Sequence, residues 1–107
     1  MTRITFIHPK NRVESIEARN DTSVMLEALR HGVRGIVAEC GGNAICATCH
    51  VYVEADWLAK LEPVQEDEDL SLDEAAARRL PNSRLCCQIR ITPHLNGLTL
   101  RLPDRQT

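Results

Sequence analysis

The chain has 107 residues, with 13 Lys and Arg against 15 Asp and Glu, a formal net charge of −2 and only 3% aromatic residues. That length suits one domain, 1–107, with a modest core, and no basic face with interleaved aromatics speaks for a nucleic-acid partner. No stretch approaches the roughly 18 apolar residues of a membrane span, and the N-terminus lacks an apolar signal-type run, so a soluble, cytoplasmic protein without membrane contact is expected, its thiols reduced or metal-bound.

Residues 2–8 have the β-branched and aromatic content of a strand. Pro9-Lys10-Asn11 reads as a turn, and residues 12–18 as the returning strand of a hairpin. His8 reads as a strand-end residue. Asp21-Thr22-Ser23 offers N-caps for a helix running to about His31. Met25, Ala28, Leu29 and Gly32 share one face of it. Gly32 is placed to end it in a left-handed conformation. Residues 33–39 lead into a loop, with Glu39 expected to point outward.

Residues 40–49, Cys-Gly-Gly-Asn-Ala-Ile-Cys-Ala-Thr-Cys, organise the rest. Cys40, Cys46 and Cys49 follow the spacing C-x5-C-x2-C, and the pair Cys86-Cys87 offers a distant fourth sulfur. Thiolates are soft ligands, and four of them suit a 2Fe-2S cluster or zinc. The small residues Gly41, Gly42, Ala44 and Ala47 favour the cluster, because backbone N–H groups can then reach its sulfides. Such a cluster would join residue 40 to the region near residue 87 and contribute to folding. Zinc sites more often use two separated pairs. Cys46-Ala-Thr-Cys49-His50 also satisfies the C-x-x-C-H haem-attachment pattern, but a strand pattern follows where a helix is wanted. A thioredoxin-like dithiol lacks its βαβ frame.

His50 to Glu54 alternates as a strand leaving the loop. Asp56 can cap a short helix, Trp57 to Leu61, closed off by Pro63. Trp57 reads as a packing residue. Residues 54–74 hold nine acids against Lys60, a local charge of −8, while the rest of the chain carries +6. The run 66–70 reads as one acidic helix. Ser71 and Glu74 form a capping box for a second, with Leu72, Ala75, Ala76 and Leu80 as its buried stripe. A nearly unbroken acidic run is suited to docking a basic partner. Residues 83–91 read as a strand carrying the late cysteines, whose side chains would point to opposite faces. Asn96-Gly97 marks a turn, Leu98 to Leu102 a last strand, and Pro103 to Thr107 a polar tail. No nucleotide-binding glycine motif follows a strand, and no nucleophile is set beside a base. One-electron transfer therefore remains as the expected activity, and the chain is not expected to be an enzyme.

The loop Cys40 to Val53, the run Pro81-Asn-Ser-Arg-Leu-Cys-Cys-Gln-Ile89 and the tail Leu102-Pro-Asp-Arg-Gln106 together resemble the putidaredoxin- and adrenodoxin-type 2Fe-2S ferredoxins. The resemblance spans essentially the whole chain. It implies an α+β, β-grasp fold, with a mixed sheet, one crossing helix and short acidic helices. It implies Cys40, Cys46, Cys49 and Cys87 as ligands, with Cys86 left as a free thiol. It implies that His50 hydrogen-bonds the cluster loop to the acidic region. It further implies a docking surface of Glu39, Glu66, Asp67, Glu68, Asp69, Asp73 and Glu74. The implied partners of this monomeric carrier are an FAD-containing, NAD(P)H-dependent ferredoxin reductase and a cytochrome P-450 monooxygenase. Alternatives are a ferredoxin for iron–sulfur cluster assembly, a donor to a Rieske-type oxygenase, and a zinc-stapled interaction module without redox function. Two departures from the family pattern, Arg34-Gly35 before the loop and no aromatic at residue 107, point to a distinct cognate pair.

Overall fold

A computed structural model describes residues 1–36, 49–104 and 106. Alternation builds the first hairpin. In β1 (Thr2–Ile7), Thr2, Ile4 and Phe6 turn inward. β2 (Val13–Ala18) runs antiparallel to it, pairing Thr2 with Ala18 and Ile7 with Val13. A single 3-10 turn, Pro9–Asn11, connects them. Burying Phe6 and Ile4 completely stabilises the fold by about 1.5–3 kcal/mol each.

Helix α1 (Val24–Arg30) starts at Ser23, whose hydroxyl accepts the Leu26 N–H at 3.1 Å. It ends at Gly32, whose φ of 70° is the left-handed geometry expected there. Val24, Met25 and Ala28 face the core. Leu29 does not; it is exposed, and Glu27 is buried instead. The helix can bury that carboxylate because Arg19 and Arg30 both bind it.

The chain returns at β3 (His50–Val53), followed by α2 (Ala55–Leu58) and α3 (Glu66–Leu72). β4 (Ser83–Leu85) and β5 (Leu98–Arg101) complete one sheet in the order β2-β1-β5-β3-β4. β5 lies parallel to β1 and antiparallel to β3, which makes the sheet mixed. The core joins Ile4, Phe6, Val51, Val53, Leu98 and Leu100 from the strands to Val24, Met25 and Ala28 of α1. This is the β-grasp architecture that the family resemblance implies.

Three elements differ from the sequence reading. α2 begins at Ala55, ahead of Asp56, so Asp56 sits inside the helix and caps nothing. Trp57 is half-buried, with the Lys60 ammonium 4.5 Å from its ring. Residues 73–80 form no second helix. Ser71 is already inside α3, so it lacks the extended backbone that a capping residue needs. Arg79 draws the following segment back along α3, donating to the Asp69 carbonyl and to the Asp69 and Asp73 carboxylates. Ala77 is buried there, and Leu80 is left at the surface. The strand expected over 83–91 stops at Leu85, where Cys86–Gln88 turns as a 3-10 segment.

Candidate iron–sulfur site

Cys49 lies at the entry to β3 and is fully buried. The antiparallel register pairs His50 with Leu85, so Cys49 comes to lie opposite Cys86. The Cys86 N–H donates to the Cys49 carbonyl at 2.9 Å. Cys86 is fully buried, whereas Cys87 is half-buried and its Sγ lies 3.4 Å from the Gln88 side-chain nitrogen. The turn at 86–88, in place of a continued strand, brings both late thiols to Cys49. A hydrogen bond with the Cys86 thiol is the main cause pushing the Cys49 thiol up to about 12, and burial adds to it; contact with the Cys87 thiol opposes them. Such a site holds Cys49 protonated at neutral pH until a metal displaces its proton, and the sulfur donor set fits a soft iron–sulfur group. Cys40, Cys46 and Glu39 lie outside the described residues.

His50 is buried beside these cysteines. Its Nε2 lies 2.8 Å from Ser83 Oγ, which accepts the Leu80 N–H at 2.9 Å. The imidazole therefore reaches the segment that follows the acidic helix, which is one half of the expected bridge. Its Nδ1 is buried and finds no partner among the described residues. Burial first, and the Arg79 charge second, lower its pKa to about 4. His50 is thus neutral at pH 7.

The acidic helix presents Glu66, Asp67, Asp69, Asp73 and Glu74 to solvent around an exposed Leu70. Asp69 and Asp73 share Arg79 at 2.6 and 2.7 Å. Glu68 does not belong to this surface. It is buried, and its carboxylate accepts from Arg84 Nε at 2.7 Å, Arg84 Nη2 at 3.1 Å and the Leu85 N–H at 2.8 Å. Arg84, itself buried, gives its remaining Nη1 to the Glu62 carbonyl. A carboxylate and a guanidinium can be buried together only when nearly all of their hydrogen-bonding capacity is met, as it is here. The clamp fixes α3 to β4 one residue before Cys86. The sequence carried a signal for it: one arginine in an otherwise short, buried strand, opposite a run of acids. The tail is polar in sequence, yet Gln106 is buried as well.

Comparisons agree with this geometry. Residues 7–92 match the family of 2Fe-2S iron-sulfur cluster binding domains. The chain is 43% identical over 106 residues to rhodocoxin of Rhodococcus erythropolis, covering 99% of both proteins. It superposes on a crystal structure of a ferredoxin from Rhodopseudomonas palustris HaA2 with a TM-score of 0.96 and 62% identity, covering 98% of this chain and 99% of that one. It also matches the crystal structure of a covalent putidaredoxin reductase–putidaredoxin complex, with a TM-score of 0.94, 36% identity and coverage of 97% and 100%.

Proposed function

The chain belongs to the putidaredoxin-type 2Fe-2S ferredoxins, which are electron carriers rather than enzymes, and from that premise we propose that it takes single electrons from an FAD-containing, NAD(P)H-dependent ferredoxin reductase and delivers them to a cytochrome P-450 monooxygenase. The observation that carries this reading is the meeting of Cys49 with Cys86 and Cys87 at the β3–β4 junction, beside a pinned acidic helix. A bound 2Fe-2S cluster supplies a one-electron couple with no proton or atom transfer. Cys40, Cys46, Cys49 and Cys87 would hold it, and Cys86 would remain a buried thiol alongside.

The chain's own residues then do the rest. Glu66, Asp67 and Glu74, which have no ion pair among the described residues, draw in a basic partner. Leu70 gives that charged rim an apolar centre. The Glu68–Arg84 clamp keeps the docked helix in a fixed relation to the cysteines. Two electrons per monooxygenase turnover mean two visits, which favours a weak complex formed quickly by charge. No helix among the described residues is long and apolar enough to cross a membrane, which is compatible with a monomeric, single-domain carrier in the cytoplasm.

The test is anaerobic rapid mixing of the reduced protein with a substrate-bound ferric P-450 from the same organism, under carbon monoxide. The ferrous–CO haem band should appear fast, and more slowly as salt is raised. Bleaching of the ferredoxin without any transfer would refute the P-450 assignment and direct attention to cluster assembly or a Rieske-type oxygenase.

A further inference from the structure

β5 ends at Arg101, where it still pairs with Tyr52 of β3. Continuing that register would set Pro103 opposite His50. Proline has no N–H and cannot serve the His50 carbonyl. The side-chain amide of Gln106 stands in for the missing strand. Its Oε1 accepts the His50 N–H at 3.0 Å, and its Nε2 donates to the His50 carbonyl at 2.7 Å. The same Nε2 donates to the Gly35 carbonyl at 2.9 Å. Gly35 has φ of 97°, and a Cβ there would lie 3.1 Å from Leu102 Cδ1, so the backbone at 35 sits close against the tail. Gln106 is 7% exposed, and both polar atoms of its amide are engaged. Residues 35 and 50 border the stretch that contains Cys40, Cys46 and Cys49 in sequence. One buried amide near the C-terminus thus joins the two borders of the segment that contains these three cysteines.

We infer that Gln106 is a positioning residue for the cluster: by clamping Gly35 to His50 it holds the borders of the ligand-bearing segment together and slows release of the cluster. The inference rests on the 2Fe-2S reading given above. Holding the borders fixed lowers the entropy that the segment gains when a sulfur lets go, so detached ligands return more often. The tail motif Pro103-Asp-Arg-Gln106 then has a stated purpose, in which the proline leaves the ladder open and the glutamine fills it.

The test compares cluster-loaded wild type with Gln106→Met, which keeps the length and removes the polar atoms, and with Gln106→Glu, which sets a carboxylate against two carbonyls. Loss of the visible bands is followed in excess iron chelator, at a temperature where far-UV circular dichroism shows each protein folded. Urea unfolding of the same samples gives global stability, and amide exchange is read at His50. Gln106→Met should lose its cluster about tenfold faster, Gln106→Glu faster still, and the His50 amide of Gln106→Met should exchange faster. Arg3→Ala, on the distant β1–β2 edge, should match wild type. Equal rates in wild type and both Gln106 variants would overturn the inference, as would an acceleration no larger than the fall in global stability accounts for. Wild type without visible bands would refute the cluster reading itself, and the inference with it, whereas equal rates among proteins that do carry bands count against Gln106 alone.

Discussion

Among the described residues two glutamates are buried, and they are satisfied in different ways. Glu27 on α1 is fully buried, but Arg19 and Arg30, which bind it, are 57% and 44% exposed. Glu68 on α3 is 2% exposed and its partner Arg84 only 5%. Glu27 is a carboxylate reached from solvent, by cations that keep most of their hydration. Glu68 and Arg84 have given up water together and depend on each other. The first arrangement fastens α1 to the backbone and guanidinium of Arg19, just beyond the end of β2. The second fastens the acidic helix to the strand that leads into Cys86 and Cys87. The dependence on a dry pair is therefore concentrated where the proposed docking surface would have to keep a fixed distance from the proposed cluster site.

This difference can be broken from either side. The larger effect belongs to Arg84. Arg84→Met leaves Glu68 buried without its cation, which should cost about 3–5 kcal/mol in urea unfolding. Adding Glu68→Leu should recover much of that loss, because a packed apolar pair replaces a dry ionic one. If the single variant is as stable as wild type, the pair is not buried as described.

The smaller effect belongs to Glu27 and is read from pH. Burial pushes its pKa up, but the Arg19 N–H and the Arg19 and Arg30 guanidinium groups outweigh burial and hold it near 2, against an ordinary 4.5. The unfolded chain therefore binds the proton more readily. The contribution is fully present above about pH 4.5 and is lost as pH falls towards 2. Its size is on the order of 2–3 kcal/mol, discounted for the exposed arginines. Glu27→Gln should flatten that part of the stability profile. An unchanged profile would contradict the assignment.

The same comparison explains what could be read from the sequence. Alternation in Thr2–Ile7, the Ser23 cap, Gly32 and the Asn96-Gly97 turn are local signals, and the structure follows them. The cysteine spacing admitted a 2Fe-2S cluster or zinc, and the small residues between the cysteines favoured the cluster. Glu27 and Glu68 were not legible, because helical periodicity counts apolar residues and takes every acid as solvated. Arg30 lies one helical turn from Glu27, but Arg19 lies eight residues from it and Arg84 sixteen from Glu68, separations that the fold alone decides. The Ser71–Glu74 capping box failed for a related reason. The motif is real, but α3 runs through Ser71, and Arg79 offers the backbone beyond it another set of bonds. Gln106 was hidden because its role depends on where β5 stops.

The central claim is that the late ligand is Cys87 and that Cys86 is only its buried neighbour. The direct measurement is to purify Cys86→Ala and Cys87→Ala and record iron content and visible spectra. The account predicts about two irons per chain and native bands for Cys86→Ala, with neither for Cys87→Ala. A colourless Cys86→Ala protein beside a normally coloured Cys87→Ala protein would contradict it.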